Sequence, residues 1–374
     1  MKLIGRSVIT SKIIEIIVID GFIKDINPVS DEGNYPYISP GFFDIQVNGY
    51  MGINYSLDTL TENDLIEMVK ILKKSGTTKH LPTIITAPGD RIEKNLRTMA
   101  SVLDKRPDLE HAVPGFHIEG PYISEKEGVR GAHDPSYIRD PDIDEFIGWQ
   151  KASGGRIKII TLAPERKGAL EFIRKVSLTG VVVSLGHTAA SGDLIHQAVE
   201  AGAVLSTHLG NGSESMLPRL RNYLWEQLAC DGLVSSIIAD GYHLPPAVIK
   251  TFYRTKGPER LILISDVSPL GGLDPGRYSW DNMEVEVSPD GHVGLAGTPY
   301  LAGAGHLLDH DIAWFMSATG CSIAEAVALC TVNPAKLLLE GNATYSFKIG
   351  ARADCVVFRY EKNQNKIKIE QVFC

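Results

Sequence analysis

Four short segments, each closing an apolar run, hold the residue types that metal-assisted chemistry needs: His117-Ile118-Glu119-Gly120-Pro121, Gly186-His187-Thr188, Thr207-His208-Leu209 and Ser265-Asp266-Val267. Glu119 offers an oxygen, and His187 and His208 offer nitrogens. Three such donors suit a divalent ion and leave a coordination position for water or substrate. A single histidine at a strand end is usually a hydrogen-bonded structural residue. Three donors at three strand ends favour ligation over that plainer role. Asp266 emerges from Leu261-Ile262-Leu263-Ile264 toward the same place; as a general acid and base it would take a proton from water and return it to a leaving group. Its alternative role is to cap the next segment or hold a neighbouring histidine. His117 shares a strand and a face with Glu119, and is expected to orient it or line the site. His133 and His243 fall in loops that should overhang the pocket, where a surface role is the commoner one. His80, His111, His196, His292, His306 and His310 show no converging pattern.

These residues must be positioned by rigid elements. Strand candidates end near Asp44 to Asn48, Thr83 to Thr86, Gly115 to His117, Ile157 to Leu162, Val181 to Ser184, Val204 to Thr207, Ser236 to Ala239 and Leu261 to Ser265. Helical stretches follow most of them, including 63–74, 91–105, 170–177, 193–201 and 246–253. Thr61 is placed to cap the first, and Gly180 and Gly202 sit where two others should stop. Eight βα alternations predict an α/β fold of the (β/α)8 TIM-barrel type, with chemistry at the C-terminal strand ends. Helical sequence from Leu307 to Leu339, with a capping box at Ser322 and Glu325, completes the barrel. The two ends of the chain read as short strands. One pair turns at Asp20-Gly21, which tolerates the positive φ of a tight hairpin. Residues 1–37 and 343–374 are therefore expected to form a small β-sandwich-like domain beside a barrel of residues 38–342.

A length of 374 residues and 44% hydrophobic content fit one large domain plus a minor one. The formal charge of −8 argues against nucleic acid or an anionic membrane as partner. Five cysteines without CxxC spacing read as buried thiols rather than disulfides or a zinc-thiolate site. The sequence starts directly in strand-like residues, and no apolar run reaches the ~20 residues of a membrane span, so a cytoplasmic location is expected. Gly271-Gly272 and Leu301-Ala302-Gly303-Ala304-Gly305 match neither GxxxxGK[ST] nor GxGxxG. They read as loops where backbone approaches a ligand or neighbour closely.

Together the segments resemble the N-acetylglucosamine-6-phosphate deacetylase family of the amidohydrolase superfamily, over nearly the whole chain. The resemblance rests on the run from Pro40 to Gly49 (PGFFDIQVNG), Leu81-Pro82-Thr83, the His117–Pro121 segment, Gly131-Ala132-His133 and Leu162-Ala163-Pro164-Glu165. It continues through the His187 and His208 segments with Asn211, then Ile238-Ala239-Asp240-Gly241 with His243, Ser265-Asp266 and Leu295-Ala296-Gly297-Thr298. It implies hydrolysis of N-acetylglucosamine-6-phosphate to glucosamine-6-phosphate and acetate, by a homodimer. It further implies that Glu119, His187 and His208 hold the metal, that Asp266 is the base and acid, and that His133 polarises the acetamide carbonyl. Asn211, Gly212, His243 and Leu301 would contact the sugar or its phosphate. Many amidohydrolases carry His-x-His at the end of the first strand, where this chain has Gln46-x-Asn48; neutral amides are weaker ligands, so one ion is expected, zinc first and iron second. The family's phosphate-binding arginine, often supplied across the dimer interface, corresponds in spacing to Arg219, with Arg221 as the alternative. Its surroundings here (Leu217-Pro218-Arg219-Leu220-Arg221-Asn222) are altered, and Gly212 replaces the usual Ala. Those departures keep open an unphosphorylated or differently phosphorylated N-acetyl amino sugar. A sugar-phosphate-binding barrel without turnover is the third reading.

Overall fold

The computed structural model describes residues 1–30, 33–280, 283–298, 301–339 and 345–374. Its centre is a ring of eight parallel strands: β1 (Phe42–Val47), β2 (Thr77–Ile84), β3 (Phe116–Glu119), β4 (Ile157–Leu162), β5 (Val182–Leu185), β6 (Ala203–Ser206), β7 (Val234–Ile237) and β8 (Leu261–Leu263). Each strand pairs with its sequence neighbours. The ring closes where the chain beyond β8 meets β1: Asp266 N–H donates to Gln46 O at 3.0 Å, and Asn48 N–H to Val267 O at 3.0 Å. That seam brings Asp266 beside Gln46 and Asn48, residues more than two hundred positions away in sequence.

Among the described residues the helices around the ring include α1 (Glu62–Lys73), α2 (Gly89–Lys105), α3 (Ile143–Ala152), α4 (Ala169–Ser177), α5 (Gly192–Glu200), α6 (Tyr223–Ala229), α7 (Pro246–Lys256) and α8 (Leu308–Thr319). Thr61 caps α1 in a full capping box with Asp64. The Ser322–Glu325 box starts a further short helix, Ile323–Ala328. α3 and α6 were not anticipated from the sequence. Both carry good side-chain caps, Asp142 and Asn222. Their apolar faces are short, and α6 spans under two turns, too few for periodicity to stand out. Also unanticipated is a three-stranded antiparallel sheet (Gly276–Trp280, Met283–Val287, Val293–Leu295) inserted between β8 and α8.

Both ends of the chain meet in one six-stranded sheet, ordered 366–373, 355–361, 37–40, 2–7, 13–19, 22–28. The hairpin turns at Asp20 and Gly21, whose φ values of 52° and 78° fit the positive-φ dipeptide expected there. Tyr37–Pro40 lies inside this sheet and runs directly into β1, so the terminal sheet is fastened to the barrel by continuous backbone. The expected limit at 342/343 lies outside the described residues. Ile16, Ile23, Ile38, Ala353 and Val357 form its core, and each buried aliphatic side chain contributes roughly 1.5–3 kcal/mol.

One buried group works against this packing. Asp311, in the first turn of α8, has no exposure, and neither of its carboxylate oxygens has a hydrogen-bond partner among the described residues. Burial, with the charges of Asp240, Asp44 and Asp309 behind it, raises its pKa well above the ordinary range. An acid whose folded pKa is raised stabilises fully only below its unfolded pKa of about 3.9, and that contribution is lost as pH rises toward the folded value. Asp311→Asn removes the titration. The variant should be more stable than the parent by about 2 kcal/mol at pH 8, with the gap narrowing toward pH 4. Urea unfolding at both pH values measures this; an Asn variant no more stable at pH 8 than its parent contradicts it.

Candidate active site

The strand ends at the C-terminal mouth bring the expected residues together. Glu119, the last residue of β3, is buried and faces His208 and His187, which lie just beyond β6 and β5. His208 Nε2 is 2.8 Å from Glu119 Oε1 and 3.0 Å from His187 Nε2, and His187 Nε2 is 3.4 Å from the same carboxylate oxygen. Burial alone would raise Glu119, but hydrogen bonds and charge from His187 and His208 outweigh it and hold the carboxyl well below its usual range. Burial likewise opposes charge on His208, yet Glu119 and then Asp266 raise its pKa.

His187, His208 and Asp266 share an unusual backbone, with φ of 48°, 32° and 49°. Left-handed residues other than glycine cost free energy, least for His, Asn and Asp, and such residues gather at functional sites. Here the reason is geometric. A positive φ just after the last strand residue swings the side chain inward over the mouth.

The donor set fits a cation. His187 Nδ1 lies 2.8 Å from Val129 O, which only accepts, so Nδ1 bears a proton and Nε2 is the ring atom turned toward Glu119. The Nε2 atoms of His187 and His208 and an ionised carboxylate converge where a positive ion is the natural partner. His133 belongs to the same cluster. It is buried, its ring centroid is 4.4 Å from that of His187, and ligand atoms of Glu119, His133 and His187 lie within 4.8 Å of one another. His133 Nδ1 is 2.7 Å from Thr86 Oγ1, and burial, reinforced by His187, lowers its pKa to about 3.

Two residues read from the sequence only as poor ligands have an active part here. Gln46 Nε2 donates to Glu119 Oε1 at 3.0 Å, and Asn48 Nδ2 donates to Asp266 Oδ1 at 2.7 Å. Gln46 lies on β1 and Asn48 just past its end, and their spacing of two is the signal that could have revealed them, since residues two apart on extended backbone share a face. The Asn48 bond falls on Asp266 Oδ1. Desolvation raises Asp266 to about 6, helped by the charge of Glu119 and opposed by His208 and the Asn48 hydrogen bond.

His117 has a different place from the one expected. Its ring bonds Ile45 O through Nδ1 at 3.2 Å and Thr161 Oγ1 through Nε2 at 2.8 Å, so it ties β3 to β1 and β4 below the mouth instead of orienting Glu119. The hydroxyl chain continues from Thr161 to Thr207 at 2.8 Å and on to Ser184.

The remaining candidates are distributed unevenly. His243 Nδ1 is 2.7 Å from Asp240 Oδ2, while Asp240 Oδ1 accepts the Tyr242 and His243 N–H groups. Asn211 buries Nδ2 without a partner among the described residues. Gly212 lies against the His187 ring. Leu301 bridges to Gly294, on a segment whose Ala304 pairs with Val267 next to Asp266; its neighbours 299 and 300 lie outside the described residues. Arg219 is exposed, and its carbonyl accepts Trp225 Nε1–H at 3.3 Å. Exposed Met216, Leu220 and Trp225 flank it.

A barrel of this topology with this cluster at its mouth defines a metal-dependent hydrolase of the amidohydrolase type. A model described as the amidohydrolase family matches residues 37–374, and the chain belongs to that family, whose members use a divalent metal. Among relatives, N-acetylglucosamine-6-phosphate deacetylases from Bos taurus and Bacillus subtilis (strain 168) are each 33% identical, covering 86% and 85% of this chain and 79% of theirs. An N-acetylgalactosamine-6-phosphate deacetylase from Escherichia coli O157:H7 is 30% identical over 91% of this chain and 89% of its own. The solved structure of an Asp-to-Ala mutant of the Mycobacterium smegmatis N-acetyl-D-glucosamine-6-phosphate deacetylase, in complex with N-acetyl-D-glucosamine-6-phosphate, superposes with a TM-score of 0.86 at 26% identity, covering 100% of this chain and 98% of that one. Within the amidohydrolases, the chain falls in the N-acetylglucosamine-6-phosphate deacetylase family. No helix among the described residues is long and apolar enough to cross a membrane.

Proposed function

We propose that the chain hydrolyses the acetamide of N-acetylglucosamine-6-phosphate, releasing acetate and glucosamine-6-phosphate, with one ion held by Glu119, His187 and His208. The observation that carries this reading is the convergence of those three donors beside a second carboxylate, Glu119 steadied by the Gln46 amide and Asp266 by that of Asn48. Zinc is the first choice of ion for a set of two imidazoles and a carboxylate, iron the second. A divalent ion there supplies Lewis acidity, polarising the amide carbonyl and making water more acidic.

The chain's own groups carry the protons. Asp266 Oδ2 takes a proton from the attacking water as its oxygen bonds to the acetamide carbon. The carbon–nitrogen bond then breaks, and Asp266 returns the proton to the departing nitrogen, leaving an amine and acetate. Thr86 can donate its hydroxyl hydrogen to His133 Nδ1, placing the imidazole proton on Nε2, from which it donates to the carbonyl oxygen as negative charge develops there. Asp240 orients His243 for the sugar, and Asn211 Nδ2 is a donor still to be satisfied.

Arg219 belongs to this reading as the phosphate contact. It is exposed within an apolar patch of Met216, Leu220 and Trp225, which suits a homodimer in which a second copy covers the patch and receives the guanidinium. A cytoplasmic location is part of the same reading, because a phosphorylated sugar does not cross a bilayer unaided. The test is kcat/KM for N-acetylglucosamine-6-phosphate, its N-acetylgalactosamine epimer and unphosphorylated N-acetylglucosamine, with acetate release as readout. A preference for the unphosphorylated sugar overturns the substrate assignment. Arg219→Ala should raise KM for the phosphorylated sugar about tenfold and leave kcat within about twofold, since a phosphate remote from the reacting bond contributes equally to ground and transition states.

A further inference from the structure

His306 and His310, which show no converging pattern in the sequence and lie outside the segments that carry the family resemblance, meet in a stack behind the loop that holds His243. The rings of Tyr242 and His306 have centroids 5.9 Å apart, those of His306 and His310 3.8 Å and those of His310 and Trp314 6.3 Å, each pair within 11° of parallel. His310 and Trp314 are four residues apart on α8 and share one of its faces. The turn from Asp240 to His243 rests on that face. His310 Nε2 lies 3.1 Å from Asp240 O, which only accepts, so Nε2 bears a proton. A Cβ on Gly241 would stand 2.6 Å from Trp314 Cε2, so the indole lies against the bare backbone of the turn. On the other side, the Tyr242 hydroxyl donates at 3.4 Å to Asp290 O in a turn of the inserted sheet. Burial, reinforced by the charge of His310, lowers His306 to about 4, and burial lowers His310 as well, so two rings this close are neutral near pH 7 and do not repel.

Asp240 is also the residue that aims His243. Its Oδ2 lies 2.7 Å from His243 Nδ1, and its Oδ1 accepts the Tyr242 and His243 N–H groups, both at 2.9 Å. The bond from His310 fixes the carbonyl end of the same residue. We propose that His310 is a positioning residue for the substrate: from α8 it holds the Asp240 peptide, and through the Asp240 carboxylate it sets the direction in which the His243 imidazole meets the sugar. This rests on the reading of His243 as a sugar contact. Without the donor, the carbonyl of a residue only 2% exposed loses a partner, and the turn shifts to find another. Asp240 and His243 move together, because they are bonded to each other. The displaced imidazole then meets the sugar poorly in ground state and transition state alike, since this contact is remote from the amide bond that breaks. The signature of such a loss is a raised KM with kcat preserved.

Steady-state constants for N-acetylglucosamine-6-phosphate, measured on the zinc-loaded full chain, test this with two substitutions that separate the donor from the stack. His310→Phe keeps a flat ring between His306 and Trp314 and has no donor. It should raise KM about fivefold, the effect of one lost hydrogen bond, and leave kcat within about twofold. His310→Gln gives up the stack and keeps an N–H donor for Asp240 O, so its KM should stay within about twofold of the parent. His310→Leu, which also lacks the donor, replaces the Phe variant if that one does not fold. His243→Asn sets the scale and should raise KM at least about fivefold. A parental KM in the variant without a donor, with His243→Asn impaired, overturns the proposal. So does a Gln variant impaired as much as the Phe or Leu one, or a kcat that falls in step with the rise in KM. A KM unmoved by His243→Asn would instead remove the sugar contact beneath it.

Discussion

Asp266→Asn should lower kcat for acetate release by about 10³-fold, because a positioned general acid and base contributes 10²- to 10⁴-fold, while zinc content stays that of the parent. Asn is the substitution of choice for a structural reason. Asp266 has φ of 49°, and Asn is among the few residues that accept this backbone readily, whereas Ala would add strain unrelated to proton transfer. The Asn amide keeps the shape of the group beside Asn48, 2.7 Å away, yet cannot take a proton from water. Pre-steady-state acetate release with metal analysis on the same sample checks both halves. Turnover near the parent's with metal in place would remove Asp266 from the role given to it.

Glu119→Gln should have the second large effect, expressed in metal binding before chemistry. Glu119 is the only carboxylate in the three-donor set, and its Oε1 is the atom on which His208, His187 and Gln46 converge. Replacing it with a neutral amide removes the charge that holds the ion and leaves the Gln46 amide facing another amide. Zinc affinity should fall at least about 100-fold, and acetate release at limiting zinc should fall with it. The two variants make a diagnostic pair: Asp266→Asn keeps the metal and loses turnover, whereas Glu119→Gln loses both, with part of the activity returning at high zinc. Metal content in Glu119→Gln equal to the parent's would place the ion elsewhere. The charge balance predicts a companion effect. His208 owes its raised pKa first to Glu119 among the groups that oppose its burial, so metal-free Glu119→Gln should show His208 neutral at lower pH than the metal-free parent, followed by NMR titration of the imidazole.

Much of the barrel was legible because its signals are local. Apolar β-branched runs, helix caps such as Thr61 and Ser322, and polar residues at the ends of runs survive in one dimension, and parallel strands buried on both faces must be nearly continuous in hydrophobicity. Glu119, His187, His208 and Asp266 stood out for that reason. α3 and α6 did not, because a short helix held by a cap and a few contacts carries too little periodic signal. The inserted sheet between β8 and α8 went unassigned, only the flanking Gly271-Gly272 and Leu301–Gly305 being read as loops, because its strands are only three to five residues long.

What the sequence determined by itself was the inventory: one carboxylate, two imidazoles and a second carboxylate at the ends of the third, fifth, sixth and eighth strands, and an amide pair at the end of the first strand in place of imidazoles. What only the tertiary structure decided was how they are held. The closing of β8 onto β1 gives Asn48 the Asp266 carboxylate to bind, and the curvature of the ring brings Gln46 to Glu119 at the end of β3. His117, two residues from Glu119 and expected to orient it or line the site, is tied to Ile45 and Thr161. Gly212, which reads as a small departure next to Asn211, lies against the His187 ring. Spacing along a chain fixes which side chains share a strand or a face; which atoms meet depends on loops that return from distant positions, and their closeness is set by packing in three dimensions.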